Sequence, residues 1–119
     1  MAKAKRKAAR RSKRAAGVTY AQVCEMALKL PGVEESTSYG TAALKVRGTL
    51  MVRLKEDGVT LVLRTTLNDR PLLLAAAPDV LYLTDHYVKH PWVLVRLQVV
   101  EQSFLKELLG EAWRLAAQS

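Results

Sequence analysis

Leu44-Lys45-Val46-Arg47-Gly48-Thr49-Leu50-Met51-Val52-Arg53-Leu54-Lys55-Glu56-Asp57-Gly58-Val59-Thr60-Leu61-Val62-Leu63-Arg64 has a hydropathy period of two. Leu44 and Val46 alternate with Lys45 and Arg47. Leu50, Val52 and Leu54 alternate with Met51, Arg53 and Lys55, and Val59, Leu61 and Leu63 with Thr60, Val62 and Arg64. Side chains of a strand point alternately to its two faces, so each run reads as a half-buried strand. Gly48-Thr49 supplies the first turn. Glu56-Asp57-Gly58 supplies the second, because Asp-Gly accepts the positive φ of a tight hairpin. Three consecutive antiparallel strands follow.

On the N-terminal side the period changes to that of a helix. Tyr20, Val23, Cys24, Ala27 and Leu28 recur at i, i+3, i+4, i+7 and i+8. Thr19 can cap this helix, Gln22 completes a capping box, and Val18 can staple to Val23. Leu30-Pro31-Gly32 stops it. Glu34, Glu35, Ser36, Thr37 and Tyr39-Gly40 read as a loop into the first strand.

On the C-terminal side Asn68 or Asp69 can cap a short helix with Pro71 in its first turn and Leu72 to Ala77 as its body. Leu81 to Thr84 and Trp92 to Leu97 read as two more strands. A last helix starts near Ser103 and carries Leu105, Leu108, Leu109, Ala112, Trp113 and Ala116 as its apolar stripe. The order is α-β-β-β-α-β-β-α. Three apolar helical stripes need one apolar surface to cover, so the expected architecture is α+β: an antiparallel five-stranded sheet with three helices packed on one face.

Placing the apolar alternates under the helices fixes what faces outward. That set is Lys45, Arg47, Met51, Arg53, Lys55, Thr60, Val62, Arg64, Tyr82, Thr84, Trp92, Leu94 and Arg96. Six of these are basic and none is acidic, and the nearby acids Glu56, Asp57, Asp79 and Asp85 fall in expected turns. A basic face with Tyr82 and Trp92 among the cations suits a phosphate backbone with stacked or inserted bases. The same residues are also what an ordinary solvated sheet face carries.

Charge is distributed unevenly along the 119 residues. The net charge is +8, and residues 1–16 hold Lys3, Lys5, Arg6, Lys7, Arg10, Arg11, Lys13 and Arg14 with no acid. The remainder carries eleven basic and eleven acidic groups. Residues 1–17 are expected to be a disordered basic tail, lacking apolar surface to offset the entropy of ordering, and 18–119 a single domain. The tail has no apolar stretch of the kind a secretory signal needs, and only Ala where a mitochondrial presequence carries large apolar residues. It reads as a nuclear address if the source is eukaryotic. As a polyanion-binding arm contacting six to eight phosphates, it would give log K a slope against log salt of about −5 to −7. As a solubilising tail it would give none.

No apolar run approaches the roughly 18 residues that span a bilayer. A lone Cys24 excludes an internal disulfide and a multi-cysteine zinc site, and on an apolar helix face it reads as a buried, inert thiol. His86 and His90 are four apart beside Asp85, but Pro91 argues for a loop, so no metal site is expected. Ser36, Thr37 and Ser38 lack a partner base, and Gly40, Gly48 and Gly58 are isolated turn glycines, not a phosphate loop. No cofactor and no catalytic residue are expected.

Ala27-Leu28-Lys29-Leu30-Pro31-Gly32-Val33-Glu34-Glu35-Ser36-Thr37, then Tyr39-Gly40-Thr41 and Leu44-Lys45-Val46-Arg47-Gly48, resemble the MmcQ/YjbR family of small, mostly bacterial proteins. So do Asp85-His86-Tyr87-Val88-Lys89-His90-Pro91-Trp92-Val93-Leu94-Val95-Arg96-Leu97 and Ala112-Trp113-Arg114-Leu115. The resemblance covers residues 19–117. It implies a CyaY-like, double-wing α+β fold and the DNA-binding label commonly given to family members by structural analogy. Ala42 and Leu44 stand where the family commonly has proline and an aromatic, and Thr49 where it usually has lysine. The first 16 residues lie outside the family pattern.

The functional expectation is a non-enzymatic, cytoplasmic DNA-binding protein of low sequence specificity, nucleoid-associated if the source is bacterial, and a monomer. The tail supplies long-range attraction. Lys45, Arg47, Arg53, Lys55, Arg64 and Arg96 position the sheet on the backbone, and Tyr82 and Trp92 stack. One rival is a protein-interaction module with an acidic partner, distinguished by partners that survive nuclease. The other is a small-ligand or metal-binding domain using the Tyr39 loop with His86, Tyr87 and Trp92 at one end of the sheet.

Overall fold

The computed structural model describes residues 17–119. The elements are α1 (Tyr20–Ala27), β1 (Val33–Ser38), β2 (Thr41–Val46), β3 (Thr49–Leu54), β4 (Thr60–Arg64), α2 (Arg70–Ala76), β5 (Leu81–Tyr82), β6 (Trp92–Arg96) and α3 (Gln102–Ala117), with a 3₁₀ turn at Asp85–Tyr87 before β6. The strands form one antiparallel sheet in the order β1-β2-β3-β4-β6-β5. There are six strands, not five, because the polar run Val33-Glu34-Glu35-Ser36-Thr37-Ser38 is an edge strand on β2 and not a loop. An edge strand with exposed polar side chains has no apolar period to betray it.

Two corrections concern β2 and β3. The hairpin between them turns at Arg47-Gly48, not Gly48-Thr49: Val46 pairs with Thr49, and Arg47 and Gly48 have φ of 50° and 88°. That is a two-residue turn of mirror-image type, and it puts Arg47 at the hairpin tip, not on the sheet face. Within the pair, Leu44 faces Val52 but Lys45 faces Leu50, leaving Met51 as the extra residue of a β-bulge. The bulge inverts the expected facing. Met51 is 0% exposed in the core, and Leu50 moves to the other face.

The core lies between the sheet and the helices. Leu44, Val46, Val52, Leu61, Leu63, Val93 and Val95 from the strands meet Leu105, Leu108, Leu109, Ala112 and Ala116 of α3. α3 lies across β2, β3 and β4, α1 packs Val23 and Ala27 beside it, and α2 rests near β5 with Leu73 and Leu74 on the same cluster. Trp113 Nε1 donates to the Pro31 carbonyl at 2.7 Å, tying α3 to the end of α1. The Thr19–Gln22 capping box forms as expected. The cap of α2 does not: Asp69 holds the cap position without a side-chain bond, and its own N–H donates to Thr66 Oγ1 at 3.0 Å.

Candidate ligand pocket on the open sheet face

The helix-free face is built from one cross-strand row and its flanks. Ser36, Ala43, Arg53, Val62, Leu94 and Tyr82 stand side by side on β1, β2, β3, β4, β6 and β5. Ala43, Val62 and Leu94 are buried although they lie outside the main core. Two residues along the strands sit Arg64, Trp92 and Arg96, whose long side chains can cover apolar strand. The face is therefore a second, thinner apolar layer roofed by cations and rings.

The six body cations expected to act together have different surroundings. Arg53 is 6% exposed and fully engaged. Its Nη1 donates to Thr41 Oγ1 at 3.0 Å and to Glu56 Oε2 at 3.2 Å, and its Nη2 donates to the Tyr87 hydroxyl at 2.9 Å. Arg64 donates from Nε to the Leu50 carbonyl at 2.7 Å and lies 4.6 Å from the Trp92 ring centre. Burial pushes its pKa down, though not out of the range where guanidinium is always charged. Arg96 is exposed and lies 4.1 Å from the Tyr82 ring centre. Lys45 stands opposite Glu34, Arg47 is at its hairpin tip, and Lys55 is at the end of β3. The tail cations Lys3, Lys5, Arg6, Lys7, Arg10, Arg11, Lys13 and Arg14 lie outside the described residues.

One end of this face is walled by residues 84–92, forming a concave pocket of about 640 Å³. Leu50, Val62 and Trp92 provide apolar and aromatic lining from the sheet. Arg53, Lys55 and Glu56 come from the end of β3, Tyr39 from the β1–β2 turn, and Thr84, His86, Tyr87 and His90 from the wall. The structure thus brings together Tyr39, His86, Tyr87 and Trp92, along with two of the six expected cations, Arg53 and Lys55, in a single concavity. His86 and Tyr87 pack edge to face, with centroids 4.7 Å apart and planes at 88°. Among the described residues no three His, Cys, Asp or Glu side chains converge on a common point.

The wall is held by a residue that the hydropathy pattern does not single out. Arg70, at the start of α2, is 8% exposed. Its Nη1 donates to the carbonyls of Tyr87 (3.1 Å), His90 (2.6 Å) and Trp92 (3.1 Å), and its Nη2 to that of Val88 (2.6 Å). A planar guanidinium fork is suited to collecting several acceptors from an irregular loop. The only trace in the sequence is a basic residue in the first turn of a helix, where the macrodipole disfavours it.

The two acids of the β3–β4 turn are hydrogen-bonded. The backbone N–H of Glu56, and then Arg53, hold the Glu56 carboxyl below the usual carboxylate range. Burial raises Asp57, but hydrogen bonds from the Val59 N–H, the Thr60 hydroxyl and the Thr60 N–H outweigh it and leave its pKa lowered. Cys24 lies on α1, remote from the pocket, and burial raises its pKa despite the adjacent Tyr20 hydroxyl. No helix among the described residues is long and apolar enough to cross a membrane.

The sequence pattern of the YjbR family matches residues 28–115. This chain belongs to the YjbR family. All of the YjbR pocket residues fall inside the matched span, and residues 1–16 fall outside it. The uncharacterized proteins Rv2570 of Mycobacterium tuberculosis and Mb2600 of Mycobacterium bovis are each 36% identical over 66 residues. Those residues are 56% of this chain and 43% of each relative, so the match spans less than half the length of these relatives. The crystal structure of Deinococcus radiodurans protein DR2400 superposes with a TM-score of 0.72 at 23% identity, covering 85% of this chain and 80% of that one. That likeness establishes the α+β fold.

Proposed function

We propose that this YjbR-family chain is a non-enzymatic nucleic-acid-binding protein of low sequence specificity, with DNA as its partner and the cytoplasm as its place of action. The observation that carries the proposal is the pairing of cations with ring faces on the open sheet: Arg64 over Trp92 and Arg96 over Tyr82. A guanidinium held on a ring presents charge to phosphate without paying again for its own ordering, while the ring edge remains available to a base. Lys45, Arg47 and Lys55 extend the positive surface. Of the nearby acids, Glu56 is paired with Arg53, Glu34 stands opposite Lys45, and Asp57 stays anionic on its hydrogen bonds from Val59 and Thr60, the residue opposite Arg96. In this reading Arg53 contributes by shaping the pocket and not by touching phosphate. The CyaY-like, double-wing arrangement that the family resemblance implies belongs with the proposal.

The test is a salt series of binding to duplex DNA, single-stranded DNA and RNA. It compares the full chain with an Arg96→Gln, Lys45→Gln double variant and with a variant whose eight cations in residues 1–16 are glutamine. Both variants should bind all sequences more weakly, with flatter salt dependence. A full chain that ignores every polynucleotide at low ionic strength would refute the proposal.

A further inference from the structure

We infer that the concavity at the end of the sheet seats one nucleobase, with the attached phosphate at its cationic rim. The inference rests on the nucleic-acid reading for its polymer source. The same chemistry could also arrive as a free nucleotide. Three observations converge on a planar, anionic ligand.

The first is composition. Of seven Phe, Trp and Tyr residues in the chain, three line this one pocket, as do both histidines. At about 640 Å³ the space falls in the roughly 300–1,000 Å³ range of small-molecule sites. Leu50 and Val62 add apolar floor, and imidazoles and hydroxyls at the wall supply the directional groups that a base edge needs.

The second is Tyr39. It occupies the first position of a two-residue turn with φ of 53°, where Asn or Gly would be cheaper, and its side chain is 85% exposed. A bulky residue held in the left-handed region, with its ring left in water at a pocket mouth, gains the fold little. Its neighbour Arg53 lies 5.4 Å from the ring centre, so the ring is positioned beside the pocket. Tyr39 is placed to close over a planar ligand.

The third is charge. The one carboxylate in the lining, Glu56, is bonded to Arg53, which leaves Lys55 as the surplus formal charge of the lining. The balance favours an anion, with a phosphate at Lys55 and a neutral ring inside.

The test uses the full chain with a short oligothymidylate, an abasic deoxyribose-phosphate chain of the same length, and thymidine monophosphate with ribose phosphate as its base-free control. The two oligomers carry equal charge, so their affinity ratio reports the base alone. The expected preference for the base-bearing strand is roughly 5- to 150-fold, what one base–aromatic stack contributes. Tyr39→Asn, whose backbone accepts the same turn, should bring that ratio towards one and leave abasic affinity unchanged. His86→Ala, which keeps the backbone acceptors of Arg70, should also lower the ratio, and an unchanged ratio in both variants would overturn the base site. Saturable binding of thymidine monophosphate but not ribose phosphate supports the free nucleotide as source, and base-dependent binding of the oligomer alone supports the strand. Equal affinity for the two oligomers, with ribose phosphate matching thymidine monophosphate, overturns the base site while leaving nucleic-acid binding intact. No binding by any of these ligands or by duplex DNA overturns both.

Discussion

Arg53, Arg64 and Arg96 share one face of one sheet and have three different roles. Arg53 is buried among Thr41, Glu56 and Tyr87, Arg64 is pinned to a backbone carbonyl and laid on Trp92, and Arg96 is exposed over Tyr82. Alternation placed all three outward. It could not distinguish them, because what differs is the company that arrives from residues 41, 56, 82 and 87, distant along the chain or folded back over the strand. Arg70 is the stronger case, since its partners are backbone carbonyls, which no side-chain pattern records. Arg70→Ala removes four charge-assisted contacts and leaves the wall's part-buried carbonyls without their donor. A hydrogen bond to a charged group contributes about 1.5–3 kcal/mol net of water, and the four bonds of one guanidinium are not additive, so a loss of at least about 2–4 kcal/mol is expected in urea denaturation. Arg70→Lys should recover only part of it, because an ammonium cannot span the fork. Full stability in the alanine variant would show that the loop holds itself. Cys24 is half-buried and not fully buried as its apolar helix face suggested, because it sits at the margin of the core. With its pKa raised by burial, its labelling by a thiol reagent at neutral pH should be many times slower in the folded chain than in urea.

At the scale of elements, the helices and central strands were legible because burial stamps a period on them. β1 was not, since it buries little, and the β2–β3 facing was inverted by a bulge that leaves no mark in an unbroken apolar run such as Leu50-Met51-Val52. The bulge yields a prediction opposite to simple alternation. Met51→Ala should cost about 2–5 kcal/mol, the range for emptying a core site, and Leu50→Ala markedly less, because Leu50 is half-buried on the pocket side. Equal costs, or the reverse order, would argue against the bulge. The β3–β4 hairpin carries a pH dependence. The Glu56 and Asp57 pKa values are both lowered in the folded chain. A carboxyl lowered on folding contributes stability above its unfolded pKa, about 4, and loses it as pH falls through the folded value. Denaturation midpoints should therefore drop below about pH 4, and the drop should be smaller in Asp57→Asn, which cannot titrate. An unchanged acid limb in that variant would place the titration elsewhere.

Across the whole molecule, charge is divided between two regions with different physics. Residues 17–119 are formally neutral, with part of their positive charge committed to internal bonds such as those of Arg53 and Arg70, while residues 1–16 contribute all of the net +8. The sequence showed this division plainly, but not how many body cations remain free. On the open sheet face and its hairpin tip the structure leaves Lys45, Arg47, Lys55, Arg96 and, in part, Arg64 for polyanion contact, while the exposed Lys29, Lys89, Lys106 and Arg114 lie off those strands. Each neutralised phosphate contributes about −0.9 to the slope of log K against log salt on duplex DNA. Replacing the eight cations of residues 1–16 by glutamine should therefore flatten the slope by about 5 to 7 if the tail makes six to eight contacts. The sheet variants should change it by no more than about 1 per residue. The base preference measured against an abasic strand should survive the tail replacement, because stacking in the pocket does not depend on counterion release. If the tail variant loses slope and base preference together, the two regions act as one surface and their separation into an electrostatic arm and a reading pocket fails.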